Sequence, residues 1–224
     1  MVEDVSREVV EGLVYSSNAE FRSRFREHLG AGVDRFVDNF IHSYRRFETM
    51  PPAAEDDYRS AWVQAFVHTA LNSLLVSTHL LASGYLIQSG NSMRQFAEAM
   101  AMALLCAHPS IGVFRRFEAD PRRFPTHDAL GIANRRRNRR LLDLNKEGWQ
   151  TLQEITRFYD QYSHVSALGV ATLMPFKGEG VVLGSEFDEA KLEMYALELT
   201  RRTSALPPFT DVIDRIKELL DDRG

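Results

Sequence analysis

Residues 60–93 read SAWVQAFVHTALNSLLVSTHLLASGYLIQSGNSM, without a single Asp, Glu, Lys or Arg. A bilayer crossing needs only about 20 apolar residues, so length alone would permit a membrane span. Composition argues against it. The best stretch, 61–82, carries Gln64, His68, Thr69, Asn72, Ser73, Ser77, Thr78 and His79. That many polar side chains make insertion costly. We read the stretch as a helix at the centre of a soluble bundle, touched by neighbours on most sides, with no membrane association.

Working outward, helical periodicity dominates. A helix from Asp57 to about Ser83 ends or bends at Gly84. The next starts at Asn91-Ser92, or already near Leu86, and runs to Ala107 before Pro109. Residues 109–128 read as irregular, with a short helical piece over 111–117. A basic helix follows over 130–142 and an amphipathic one over 147–166. Residues 188–205 read as helix, which Pro207-Pro208 breaks before Thr210 caps a last helix to Leu220. Toward the N-terminus, residues 3–29 read as one helix or two, ended by Gly30 and Gly32. Val33, Phe36, Val37, Phe40, Ile41 and Tyr44 then mark a second helix over 32–47. Met50-Pro51-Pro52 is the best internal boundary. Residues 1–49 are thus a helical hairpin or extension and 54–224 the main bundle, or the whole is a single domain 1–224. One change of period stands out: β-formers flank Lys177-Gly178-Glu179-Gly180, as in a small β-hairpin over 172–184. The fold class is mainly α, a multi-helix bundle with that one hairpin.

Composition bounds the function. The chain has 224 residues, 44% hydrophobic and 26% charged, with a net charge of -4. That excludes wholesale disorder and a global polycation, so nucleic-acid contact requires a local patch. The single cysteine, Cys106, lies in the apolar run MAMALLCA. It excludes a disulfide framework and a multi-cysteine zinc site, and reads as a buried inert thiol in a reducing compartment. The N-terminal MVEDVSREVV lacks the basic and apolar regions of a signal peptide, so the expected location is cytoplasmic. No phosphate-loop, dinucleotide, zinc-protease or nucleophile-elbow pattern occurs. His68 and His79 share a helix face but stand about 16 Å apart along it, too far to share a metal unaided. No cofactor or metal is expected.

The most informative segment is Arg157-Phe158-Tyr159-Asp160-Gln161-Tyr162-Ser163-His164. On a continuous helix Arg157, Asp160, Gln161 and His164 form one polar stripe, at i, i+3, i+4 and i+7. Asp160 would then orient both Arg157 and His164 and favour a charged imidazole. A titratable imidazole beside a guanidinium suits attack on a phosphodiester: one moves protons and the other stabilises phosphoryl charge. A solvated helix face with ordinary i,i+4 pairs is the plainer reading.

Arg157-x6-His164, late in a helical bundle, resembles the Arg-x(4–6)-His motif of the HEPN superfamily. The pattern also resembles a group of bacterial helical proteins in which an Arg-x3-Glu (here Arg94 and Glu98) precedes a Tyr…Ser-x-His-like segment (here Tyr159 to His164, with Ser163 and Ser166). The likeness covers residues 60–170. It implies an all-helical, commonly dimeric domain and a metal-independent ribonuclease of toxin or defence type, paired with an antitoxin-like protein. On this resemblance His164 is general acid/base and Arg157 binds the scissile phosphate. Phe158 stands where the family usually carries a polar residue.

Two further features carry charge. Arg94 and Glu98 are the only charged residues between Ser60 and Ala107. One turn apart, they form an interhelical ion pair or line a polar pocket with His79, Tyr85, Tyr159 and Ser163. Between Arg115 and Arg140 nine Arg face three acidic residues, ending in Arg135, Arg136, Arg137, Arg139 and Arg140. Those five are candidates for RNA contact, or else a solvated helix or one docked on an acidic patch such as 186–198 of a partner chain. The two readings are therefore a HEPN-like ribonuclease and a non-catalytic helical module binding a protein or a small ligand. Either is expected to be a homodimer through an apolar face of the uncharged helices.

Overall fold

A computed structural model describes residues 8, 10–12, 17–55, 57–162, 174 and 185–221. The principal helices are α1 (Ala19–Glu48), α2 (Tyr58–Leu81), α3 (Leu86–Ala107), α4 (Val113–Ala119), α5 (Ala129–Ala133), α6 (Arg136–Leu142), α7 (Lys146–Tyr159) and α8 (Leu192–Asp221). Single 3-10 turns cover Pro109–Ile111, Thr126–Asp128, Asp160–Tyr162 and Glu189–Lys191. The protein is mainly helical. The hairpin expected over 172–184 lies outside the described residues, Met174 excepted, and no strand occurs among those described.

The centre of the bundle is α3, not the uncharged α2. Of the 22 residues of α3, 16 are buried, against α2, α5, α7 and α8. Its charge-free run of Ala, Met and Leu from Ala99 to Ala107 is the sequence of a helix contacted all round. By contrast α2 buries one stripe, Ser60, Val63, Val67, Ala70, Leu74, Ser77 and Leu81, and leaves Trp62, Leu75 and Val76 exposed. Absence of charge there did not mean enclosure. Asp57 caps α2 by accepting from the Ser60 amide at 3.1 Å. The turn into α3 uses Gly84 at φ +85°, where a side chain would be strained. Among the described residues no helix is long and apolar enough to cross a membrane.

Two expected breaks are absent, and one expected helix is divided. Helix α1 runs unbroken through Gly30 and Gly32. Phe21, Phe25, Phe36 and Ser43 are buried on it, and it packs along α8. The cost of about 1 kcal/mol per helical glycine is small against four buried side chains. Pro207 and Pro208 likewise sit inside α8 rather than ending it. They cannot donate to the carbonyls of Thr203 and Ser204, a cost of about 3 kcal/mol or more. Buried Ala205, Leu206, Phe209, Val212 and Ile213 hold the helix on both sides. At about 1.5–3 kcal/mol for each large apolar side chain, burial wins. Thr210 is therefore no cap: its hydroxyl bonds the Leu206 carbonyl at 3.2 Å and lies 2.9 Å from Ser43 Oγ on α1. The basic stretch 130–142 is two short helices. Asn138 Nδ2 donates to the Ile132 carbonyl at 2.8 Å, capping α5 from α6.

Candidate functional site

The end of α7 decides the site. Asn145 Oδ1 starts the helix by accepting from the Gly148 amide at 2.7 Å. Trp149, Leu152, Ile155 and Tyr159 bury one face of it. After Tyr159 the chain tightens into the 3-10 turn Asp160–Tyr162. The Asp160 amide still bonds the Thr156 carbonyl, so Arg157, Asp160 and Gln161 keep helical spacing into this turn, and His164, the far end of the expected stripe, lies outside the described residues. Asp160 pairs with Arg94 on α3 at 2.9 Å, and Arg94 pairs with Glu98 at 2.8 Å. The turn lies close on α3 because Gly90 receives the Tyr162 ring. A Cβ at Gly90 would stand 2.5 Å from Tyr162 Cγ.

Arg157 is exposed and lines a groove of about 400 Å³ between α7 and α8, with Glu154, Phe158, Gln161, Arg201 and Ser204 among its walls. The Arg201 guanidinium lies 3.5 Å from the centroid of the Phe158 ring. Its Nη1 donates to Glu198 Oε1 at 2.9 Å.

Beneath the groove lies a buried polar network. Arg202 is fully enclosed and Glu198 nearly so. Arg202 Nη1 donates to Glu198 Oε2 at 2.8 Å and to the Glu198 carbonyl at 2.6 Å, and Nε donates to Ser77 Oγ at 3.0 Å. Its Nη2 donates to Ser89 Oγ. The Tyr159 hydroxyl donates to Glu198 Oε2 at 2.7 Å. Ser77 Oγ donates to the Ser89 carbonyl at 2.8 Å, and Ser89 Oγ to the Ser77 carbonyl at 2.9 Å, clasping α2 to α3. Burial, with the Glu198 carboxylate beside it, pushes the Tyr159 phenol far above its ordinary range, although Arg202 opposes this. Burial pushes Tyr162 up to about 12. Both phenols are therefore neutral hydrogen-bonding groups at physiological pH.

The remaining candidates are dispersed. His164 and Ser163 lie outside the described residues. His79 is exposed on α2 with Nε2 3.2 Å from Arg22 Nη2 on α1. Tyr85 immediately precedes α3, about 13 Å along that helix from Arg94. The structure thus joins Arg94, Glu98 and Asp160 but gathers neither His79 nor Tyr85 to them. Tyr159 forms part of the groove floor with its hydroxyl turned inward to Glu198. Arg135, Arg136, Arg137, Arg139 and Arg140 are all exposed, and Arg139 lies 5.8 Å from the Trp149 ring centroid. No group of three or more His, Cys, Asp or Glu among the described residues is placed to hold a metal.

Sequence reasoning missed Glu198, Arg201 and Arg202. The signal was present: Glu198 and Arg202 fall on the stripe of Tyr195, Leu199, Leu206 and Phe209, where a charge needs a buried partner. Comparison with family models, curated proteins and solved structures found no match to this chain.

Proposed function

We propose that the chain is a HEPN-like, metal-independent ribonuclease, with Arg157 binding the scissile phosphate and His164 acting as general base and then general acid. The observation that supports this reading is the groove beside Arg157, where a second guanidinium, Arg201, lines the facing wall. Two cations at one groove suit a phosphodiester whose charge grows during attack. In the balanced step the imidazole takes the proton of a ribose 2′-hydroxyl. The 2′-oxygen bonds to the adjacent phosphorus, and the 5′-oxygen leaves with a proton returned by the imidazole. The products are a 2′,3′-cyclic phosphate and a 5′-hydroxyl. Arg135, Arg136, Arg137, Arg139 and Arg140 would hold flanking RNA phosphates.

The partner readings go with it: cytoplasmic activity, an antitoxin-like protein, and a homodimer over the outer face of α2, where Trp62, Leu75 and Val76 are exposed. Light scattering tests the dimer. Cleavage of a labelled RNA tests the function. His164→Ala and Arg157→Ala should each lower the rate by about 10²–10⁴ at unchanged melting temperature, with chelators without effect. Cleavage unaffected by His164→Ala would overturn the assignment. The second reading, a non-catalytic module for a protein or small ligand, is favoured by the apolar floor that Ile155, Phe158 and Ala205 give the groove. It predicts ligand binding without cleavage.

A further inference from the structure

We infer that Arg201 is a second substrate-binding residue of this groove, one that stacks on an unpaired base and so restricts the substrate to single-stranded RNA. The inference rests on the ribonuclease reading for the identity of its ligand, and on the following geometry for everything else. Arg201 and Phe158 come from different helices, α8 and α7, and meet at 3.5 Å from guanidinium carbon to ring centroid. That separation places the guanidinium carbon over the ring in a close cation–π contact. In its own plane Arg201 is fixed by the 2.9 Å bond from Nη1 to Glu198 Oε1.

Glu198 is itself immobilised, because its other oxygen accepts from Tyr159 and from Arg202. One face of the guanidinium is therefore occupied by Phe158 and one edge by Glu198. The side chain is 33% exposed and lines the groove. Rotamer freedom, the usual cost of using arginine as a platform, is lost before ligand arrives.

Charge agrees with this assignment. The single carboxylate of Glu198 faces two guanidiniums, Arg201 and Arg202, so the trio keeps one positive charge beneath the groove. Arg157 adds a second, and Glu154 on the wall offsets one. Asp160, paired with Arg94 on α3, is not among the residues that line the groove. A surplus cation beside a flat, immobilised guanidinium and an apolar floor fits one nucleotide unit: phosphate at Arg157, base on Arg201. A paired base cannot offer its face, since its neighbours in the duplex already cover it.

Fluorescence anisotropy with 2′-O-methyl RNA tests the inference, because that probe cannot be cleaved through a 2′-oxygen. The single strand should bind, and the same strand annealed to its complement should bind about ten-fold more weakly or worse. Arg201→Ala and Arg201→Lys should both weaken single-strand binding by about five-fold or more, the low end of a lost base stack. Arg201→Lys keeps the charge and its reach toward Glu198, so wild-type affinity in that variant would reduce Arg201 to a point charge and overturn the proposal. Equal affinity for duplex, no effect of Arg201→Ala, or no binding by the wild type would overturn it too. Failure of the ribonuclease reading is seen separately: binding that depends on Arg201 with no cleavage of ordinary RNA removes the enzyme and keeps the platform. Cleavage indifferent to both Arg201 variants removes the platform alone.

Discussion

Glu198→Gln should destabilise the protein more than Arg202→Met, although the first is isosteric and the second removes a larger charged group. The reason is the asymmetry of the buried network. Glu198 has two cations, Arg202 at 2.8 Å and Arg201 at 2.9 Å, and the Tyr159 hydroxyl at 2.7 Å. Arg202 is 0% exposed, and Glu198 is its one acidic partner among the described residues. Neutralising Glu198 leaves a guanidinium fully buried among neutral acceptors, which costs about 3–5 kcal/mol. Removing Arg202 leaves Glu198 still paired with Arg201 and hydrogen-bonded to Tyr159. The Ser77 and Ser89 hydroxyls keep their bonds to each other's carbonyls. The expected cost is then about 1–3 kcal/mol. The double variant should fall short of the sum by about 0.5–3 kcal/mol, because the second change relieves the charge the first one stranded. Urea unfolding followed by circular dichroism at pH 7, on the four proteins of the cycle, measures this. Arg202→Met as costly as Glu198→Gln, or strictly additive effects, would refute the reasoning.

Gly90→Ala should lower the melting temperature. The new methyl would meet the Tyr162 ring at 2.5 Å, and an overpacking cost of about 1–3 kcal/mol outweighs a helix-propensity gain of about 1. A variant as stable as wild type would show that the 160–162 turn is free to move off α3. Cys106, fully buried and with its thiol pushed up to about 12 by burial, should resist a thiol reagent at pH 8 until urea unfolds the chain. Rapid labelling of the native protein would contradict its enclosure. Single-stranded RNA affinity should fall steeply with salt, and replacing Arg136 and Arg140 by Ala should flatten the slope by about 1.4, two phosphate contacts at ~0.7 each. An unchanged slope would make the basic helix structural.

The fold was legible where apolar spacing and local caps agree. Helix α2 starts at the Asp57 cap and ends just before Gly84, as the sequence indicates. Lengths and breaks were less legible, because Gly and Pro report only a local preference. Gly30, Gly32, Pro207 and Pro208 all lie inside 30-residue helices. There α1 and α8 pack along each other, adding the Ser43–Thr210 contact and the Arg46–Asp214 ion pair. Long-range partners more than 160 residues away in sequence supplied what the local preference lacked. Enclosure was misread for a related reason. A helix without charges can still have an outer face, as Trp62, Leu75 and Val76 show, and only the packing of α3 on several sides marks the true centre.

The site shows what governs the visibility of a charge in sequence. Arg94 and Glu98 stood out because nothing else near them is charged, yet their side chains are 20% and 19% exposed. Glu198 and Arg202, with side chains 3% and 0% exposed, passed unnoticed among Glu193, Arg201 and Asp211. Contrast with sequence neighbours is a one-dimensional signal, whereas burial follows the helix face. Asked which charges fall on the stripe of Tyr195, Leu199, Leu206 and Phe209, the same sequence singles out Arg202 directly. The partner of Asp160 was hidden for the complementary reason: a projection along one helix names the residues that share its face, not the neighbouring helix that supplies Arg94. The wall of α7 facing α8 presents Arg157 and Phe158, and the cation that completes the groove comes from Arg201, 44 residues farther along the chain.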